Sequence, residues 1–158
     1  MARSVSGSGY DSGMKTLRRN LLVAAVAAPA AMAASKSKSK KSHWKDGRPT
    51  DGKLPLYSPA VTCNGFVFVS GTGKIDGGTI QEQTKFVLDS IEANLKHAGS
   101  SMAKAVKCNV YLSDIANYGA MNEVFRGRFG ENPPARTTVA VAAIPFGCLV
   151  EIEVMAEG

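Results

Sequence analysis

The strongest constraint on the fold is the dipeptide Asn64-Gly65, which lies between the largely apolar segments 57–63 and 66–70. Asn-Gly readily adopts the positive φ angles of a tight turn, so this arrangement is the most specific short-range signal of a β-hairpin. We therefore predict that two antiparallel strands begin the folded part of the chain.

A helix and a third strand are predicted after the hairpin. Thr79 and Glu82 have the spacing of a capping box, and the helix that they begin carries an apolar stripe and ends near Gly99. Apolar and polar residues then alternate over 106–112, which indicates a strand with one buried face.

A second helix and the last strands complete the domain. The helix begins near Ser113 and ends at Gly130, and its predicted buried residues are Ile115, Tyr118, Met121, Val124, Phe125 and Phe129. Residues 136–142 and 149–155 are predicted strands. We describe the element order as ββαβαβ, a small α+β domain.

Residues 1–34 have the parts of a secretory signal. A basic region ends at Arg18-Arg19, an apolar run follows over 21–28, and Ala31-Met32-Ala33 suits a signal peptidase. The apolar stretch is shorter than the roughly 20 residues of a membrane-spanning helix, so we expect no stable membrane insertion. We predict a signal peptide, resembling the twin-arginine type, and a periplasmic or secreted protein. The alternatives are a mitochondrial-type presequence or an uncleaved tail on a cytoplasmic protein.

The positive charge is concentrated outside the predicted domain. Residues 35–53 are rich in lysine and serine and predict a disordered linker before the domain at 54–158. The domain itself has 8 basic and 10 acidic side chains, a net charge of −2. We therefore expect no nucleic-acid partner.

The sequence contains no pattern that predicts a metal site or a cofactor site. Cys63, Cys108 and Cys148 lack Cys-x-x-Cys spacing and are odd in number, so buried free thiols are the simplest interpretation. No cluster has the spacing of metal ligands.

The last two strands carry the candidate functional residues. Taking Val139 as part of the apolar face, alternation places Arg136 and Thr138 on the other face, and the same argument assigns Glu151 and Glu153 to a polar face. We therefore expect one polar sheet face, which meets water or another subunit.

The guanidinium of Arg136 suits a carboxylate ligand because its donors form a planar fork. The residues alone leave a surface ion pair with Glu131 or Glu151 equally open. Glu151 could hold or deprotonate a water, or be an ordinary exposed carboxylate. Asn122 lies in an amphipathic helix and could face either a site or solvent.

The chain resembles the Rid family of reactive-intermediate deaminases from about Leu54 to Ala156. The segments that carry the resemblance are Tyr57-Ser58-Pro59-Ala60, Val69-Ser70-Gly71, Ala120-Met121-Asn122-Glu123-Val124-Phe125, Pro134-Ala135-Arg136 and Val150-Glu151-Ile152-Glu153. The resemblance implies a chorismate-mutase-like homotrimer with clefts between subunits. It also implies hydrolysis of enamines and imines, such as 2-aminoacrylate and 2-imino acids, to 2-keto acids and ammonia without a cofactor.

The resemblance also implies roles for individual residues. Arg136 would bind the substrate carboxylate, and Glu151 would hold the attacking water. The other implied cleft residues are Tyr57, Ser70, Gly71, Asn122 and Thr138. Thr138 stands where relatives often have cysteine, and the 129–134 connection is shorter than usual, which leaves the substrate range open.

The same resemblance leaves two alternative functions open. One is a non-catalytic trimer that binds small carboxylates or acts as a chaperone through the same cleft. The other is an endoribonuclease, which the −2 charge of the domain disfavours.

Overall fold

The Asn64-Gly65 turn forms as predicted in the computed structural model, which describes residues 39–158. Strands β2 (Ala60–Cys63) and β3 (Phe66–Gly73) pair antiparallel on either side of it. The φ angles are 50° at Asn64 and 82° at Gly65, and two successive positive values give the backbone a twist that matches paired strands.

The remaining elements form a mixed sheet with two helices. They are α1 (Ile80–His97), β4 (Ala105–Leu112), α2 (Tyr118–Phe125), β5 (Ala135–Ala140) and β6 (Val150–Glu157). A short strand at the N-terminal side, β1 (Lys41–His43), completes the six-stranded order β1-β2-β3-β6-β4-β5. Only the β4–β5 pair is parallel.

The α+β class is confirmed, but the element order has one more strand after α2 than ββαβαβ allows. Both β5 and β6 belong to the sheet: β6 lies antiparallel between β3 and β4, whereas β5 pairs parallel with the outer side of β4. The segment between them, which includes a tight turn at Pro145–Gly147, reverses the chain.

Strand β1 lies inside the segment predicted to be a disordered linker. Its three residues pair with the outer edge of β2, in register Lys41–Thr62, Ser42–Val61 and His43–Ala60. Main-chain pairing needs no apolar side chains, so the lysine-rich composition did not indicate this strand.

The capping box and the apolar stripe place α1 on the sheet. The Thr79 main-chain N–H donates to Glu82 Oε2 at 2.8 Å, and the Glu82 N–H donates back to Thr79 Oγ1 at 3.3 Å. The buried face of α1 packs against the apolar side of β3, β4 and β6 in one core. The fully enclosed side chains of this core include Leu88, Ile91, Leu95, Leu112, Ile152, Val67, Val110 and Val150.

The second helix is shorter than predicted. Residues Ile115–Asn117 form a 3₁₀ turn, and the chain leaves the helix at Arg126. Helical spacing therefore does not run through the whole segment: Ile115 and Tyr118 are exposed, whereas Met121, Phe125 and Phe129 are buried as expected. Within residues 39–158, no helix is both long and apolar enough to span a membrane.

Candidate functional site

Arg136 begins the outer strand β5 and lies against the aromatic rings of α2. Its guanidinium carbon is 4.6 Å from the ring centroid of Phe125 and 5.8 Å from that of Tyr118, and Nη2 donates to the Tyr118 hydroxyl at 3.3 Å. Such contacts hold the planar head in place while leaving most of its donors unused.

No carboxylate pairs with Arg136 among residues 39–158, so the predicted alternative of an ion pair with Glu131 or Glu151 does not form there. The arginine instead lines a cavity of about 530 Å³ together with Asn122, Phe125 and Glu131. The structure therefore brings two of the sequence-predicted site residues, Arg136 and Asn122, to one concave surface with an uncompensated cation.

Glu151 lies beside the main chain of Gly71. A Cβ atom built on Gly71 would lie only 2.2 Å from Glu151 Oε1, a distance that no side chain could accept without displacing the carboxylate. The pairing of β3 with β6 shifts register between Val69 and Thr72, so Ser70 and Gly71 form a bulge. The bulge and the missing side chain together allow this close approach.

Tyr57 and Ser70 lie on the same side as Gly71. These three residues line a small cavity of about 180 Å³ with Pro59 and Asn94. Ser70 Oγ donates to the Ser58 carbonyl at 2.7 Å, and the Ser70 N–H donates to the Pro59 carbonyl at 3.0 Å. The hairpin and the segment before it thus bring Tyr57 and Ser70 next to Gly71, and Gly71 in turn lies beside Glu151 of β6.

Arg136 and Glu151 lie on opposite faces of the sheet, which corrects the prediction that they share one face. Arg136 pairs with Cys108 of β4, which faces the helices, whereas Glu151 pairs with Tyr111, which faces away from them. The prediction failed because it took Val139 as buried. Val139 is 43% exposed, and in this outer strand the polar residues pack towards α2.

We name the two groups by their charged residues. The arginine half-site contains Arg136 and Asn122, and the glutamate half-site contains Glu151, Gly71, Ser70 and Tyr57. Because the sheet separates Arg136 from Glu151, one chain cannot bring both charged side chains onto one small ligand.

Thr138 lies on the arginine side but does not line the cavity with Arg136. Its Oγ1 is buried and has no hydrogen-bond partner in the part of the chain that the structure describes. Strand β5 is at the end of the sheet, and such strands present unpaired main-chain groups outwards. Any contact that Thr138 makes with a ligand would therefore come from its main chain.

The second glutamate of β6, Glu153, is hydrogen-bonded within the chain through one carboxylate oxygen. Glu153 Oε1 accepts from Asn109 Nδ2 at 2.7 Å and from the Tyr111 hydroxyl at 3.0 Å. Partial burial, and then the hydrogen bond to Glu153, raise the pKa of Tyr111 above its usual value, so Tyr111 remains a hydrogen-bond donor. Glu151, in contrast, makes no ion pair with any of residues 39–158.

Cys108 lies directly beside Arg136 in the β4–β5 register but is not a nucleophile. Burial raises the pKa of its thiol to about 12, and this effect outweighs the opposing influence of the Arg136 charge. The reactive form of cysteine is the thiolate, so this group is inert near neutral pH. In residues 39–158, no group of three or more His, Cys, Asp or Glu side chains is arranged to hold a metal ion.

Sequence reasoning missed the residues that support the site. Tyr118 and Phe125 hold the guanidinium, yet their helical spacing only suggested core positions. Asn94 is a buried polar residue of α1 beside the glutamate half-site. A polar residue inside an apolar stripe was the available signal for Asn94, whereas contacts between separate elements leave no local pattern.

The fold and the divided site define a class: a small α+β domain with one helical layer and two half-sites on opposite sheet faces. The chain belongs to the family described as Endoribonuclease L-PSP, whose model matches residues 53–158 and which includes the Rid proteins.

Individual relatives and solved structures are also similar to this chain. The chain is 44% identical over 108 residues to the protein mmf2, mitochondrial, of Schizosaccharomyces pombe, covering 63% of this chain and 86% of that protein. It is 36% identical over 110 residues to Reactive Intermediate Deaminase A, chloroplastic, of Arabidopsis thaliana, covering 65% and 59% respectively. The crystal structure of RidA from the Antarctic bacterium Psychrobacter sp. PAMC 21119 matches with a TM-score of 0.67 and 33% identity, covering 75% of this chain and 99% of that one.

Proposed function

We propose that this protein hydrolyses reactive imines and enamines derived from 2-amino acids, giving 2-keto acids and ammonia. The observation that carries the proposal is the cavity at Arg136, where a cation without a carboxylate partner lies beside the polar side chain of Asn122. A planar guanidinium there suits the carboxylate of a small substrate. Membership of a family with a relative named Reactive Intermediate Deaminase A supports a general imine-deaminase role.

The proposed reaction needs only water and the residues of the two half-sites. An enamine first takes a proton at carbon and becomes the iminium ion, the protonated form of the imine. Water then adds to the iminium carbon as Glu151 accepts one of its protons, which leaves a neutral carbinolamine. That proton passes from Glu151 to the nitrogen, the carbon–nitrogen bond breaks, and ammonia leaves. The hydroxyl oxygen finally loses its proton to water and becomes the keto oxygen. The imine carbon is already electrophilic, so orientation and charge stabilisation are the main contributions required of the protein.

We propose further that the complete site forms between two copies of the chain in a homotrimer. The placement of Arg136 and Glu151 on opposite sheet faces supports this assembly, because each copy can present one half-site to a neighbour. The uncovered polar face, which carries Lys107, Asn109 and Glu153, also supports a partner there. Tyr57, Ser70 and Gly71 would then contact the substrate from the glutamate side, with Thr138 on the arginine side.

A direct assay tests the proposed activity. A 2-imino acid is generated in situ by an amino-acid oxidase, and release of keto acid and ammonia is followed with and without the purified protein. Faster release in proportion to protein concentration is expected. Tight binding of a 2-keto acid with no acceleration on several imines would instead support the non-catalytic alternative. Cleavage of RNA by the domain is disfavoured by its net charge of −2 over residues 54–158.

Replacement of Gly71 by alanine is expected to lower kcat strongly with little loss of stability. The new Cβ would displace the Glu151 carboxylate, whose flexible end can move aside, and misplacement by about 1 Å can cost about 10²-fold in rate. Gly119→Ala is the control, because a Cβ there has no heavy atom within 4 Å. Steady-state kinetics and thermal unfolding of both variants check this, and an unchanged kcat in Gly71→Ala would contradict the assigned role of Glu151.

Export of the protein remains a prediction. The leader segment at 1–34 lies outside the described residues, and two relatives from Schizosaccharomyces pombe are named mitochondrial, which agrees with the presequence alternative as well. Mass spectrometry of the mature N-terminus from fractionated cells distinguishes the two: cleavage near Ala33 in an exported fraction is expected, whereas an intact N-terminus in the cytoplasm would contradict export.

A further inference from the structure

We propose that residues 41–49, here named the strap, position the glutamate half-site, and that protonation of His43 releases the strap. The strap precedes residue 53, where the match to the family model begins. The contribution to substrate binding rests on the proposed function, whereas docking of the strap does not.

The strap is fixed to the hairpin by main-chain and side-chain contacts. Strand β1 pairs with β2 from Lys41 to His43. His43 Nε2 and Thr62 Oγ1 lie 3.0 Å apart at hydrogen-bond distance, and Ser58 Oγ donates to Ser42 Oγ at 3.0 Å. The second bond connects the strap to the segment that carries Tyr57.

The same segment is bonded on its other side to the bulge of β3. The carbonyls of Ser58 and Pro59 accept from Ser70 Oγ and the Ser70 N–H. Pro59 and Asn94 also line two neighbouring cavities, one with Trp44 of the strap and one with Tyr57 and Gly71. Segment 57–59 is therefore held between the strap and the glutamate half-site, so loss of the strap frees one of its two attachments.

The strap meets α1 through two histidines. The ring of His43 contacts the ring of His97 edge-on, with centroids 6.2 Å apart and an angle of 85° between the planes. His43 faces His97 from α1 and Lys41 from its own strand, whereas β2 has no charged side chain. The nearest acidic side chain of the strap, Asp46, is paired with Lys45. A protonated His43 ring would therefore lie beside Lys41 and the His97 ring with no carboxylate to compensate its charge.

The sign of the pH effect follows from His43. Burial, and then the charges of Lys41 and His97, lower the pKa of His43 below its ordinary value of about 6.5. The docked strap thus prefers the neutral ring, and the released strap takes up the proton. Docking is complete above about pH 6.5 and is lost as pH falls through the lowered pKa of His43.

The single tryptophan of the chain reports docking directly. Trp44 follows β1 and is partly buried, so its fluorescence should shift to longer wavelength as the strap leaves. A titration from pH 8 to pH 5 should show this transition in the wild type. His97→Phe keeps an aromatic edge contact without the charge and should move the midpoint to lower pH. An unchanged midpoint in His97→Phe would overturn the histidine switch.

A second set of measurements tests the effect on the site at pH 8. His43→Pro removes a main-chain donor and the contact with Thr62, and Thr62→Val removes the two Thr62 Oγ1 contacts with the strap, to His43 Nε2 and to the Lys41 carbonyl. Lys40→Ala, exposed and outside the strand, is the control. Loss of the strap should speed hydrogen exchange of the Ser70 amide and raise KM by about fivefold with little change in kcat, as for one lost net hydrogen bond.

The outcomes separate the strap from the proposed activity. Shifted Trp44 fluorescence with faster Ser70 exchange and a higher KM supports the proposal. Shifted fluorescence with Ser70 exchange and KM as in the wild type overturns the positioning role. If the wild type hydrolyses no imine, the proposed function fails, while Ser70 exchange still decides whether the strap positions the half-site.

Discussion

Replacement of Arg136 by alanine is expected to lower kcat/KM for a 2-imino acid by about 10²- to 10³-fold. The variant loses a fork of charge-assisted hydrogen bonds to the substrate carboxylate, a loss of about 3–4 kcal/mol if two such bonds form. The folded structure should survive, because among residues 39–158 the guanidinium makes one hydrogen bond, to Tyr118, and otherwise contacts aromatic rings. Steady-state kinetics with the in situ imine assay measures the effect.

Two further variants make the Arg136 result specific. Arg128→Ala removes the same charge, but Arg128 is paired with Asp89 and Glu92 on α1 and does not line the cavity, so kcat/KM should stay within about threefold of the wild type. Arg136→Lys retains a charge without the planar fork and should recover only part of the activity. Full activity in Arg136→Ala would refute the role of this residue.

Mixing two inactive variants is expected to restore activity. Arg136→Ala and Glu151→Gln each destroy a different half-site, and the half-sites lie on opposite faces of the sheet. In a trimer with sites between subunits, a site is intact when the donor of the arginine and the donor of the glutamate are both unmutated at those positions. Random assembly from an equal mixture makes about one site in four intact, so about a quarter of the wild-type activity should return.

The complementation experiment requires exchange of subunits, by co-expression or by mild unfolding and refolding of the mixture. Each variant refolded alone is the control and should remain inactive. If the complete site formed within a single chain, the mixture would contain no intact site and would stay inactive, which would refute the shared cleft.

The elements of the fold that the sequence predicts are those fixed by local chemistry. The Asn64-Gly65 turn needs only its own backbone preferences, and the Thr79–Glu82 capping box joins residues three positions apart. Strand β1 was not predictable in this way, because its pairing with β2 depends on main-chain groups far apart in the sequence. The lysine- and serine-rich composition of residues 35–53 did not indicate that a strand would pair with β2.

The candidate site was predictable in its residues but not in its geometry. Alternation correctly separates Arg136 from Val139, but it cannot say which face of an outer strand meets the helices. Whether a valine is buried depends on what covers the sheet there, and α2 contributes aromatic rings that pack with the arginine. The prediction of a single polar face was wrong for this reason. Arg136 and Glu151 lie on opposite faces of the sheet, so the candidate site consists of two half-sites.

The high pKa of Cys108 also bears on how the protein withstands chemical damage. Oxidants and alkylating agents attack thiolates, and a thiol with a pKa of about 12 offers almost none at neutral pH. Cys148 is likewise buried and donates to the Lys74 carbonyl, which leaves the partly exposed Cys63 as the cysteine that reagents can reach. Cys63 ends the hairpin strand β2, away from both half-sites, so a thiol-modifying stress would mark this protein without disabling the residues around its arginine.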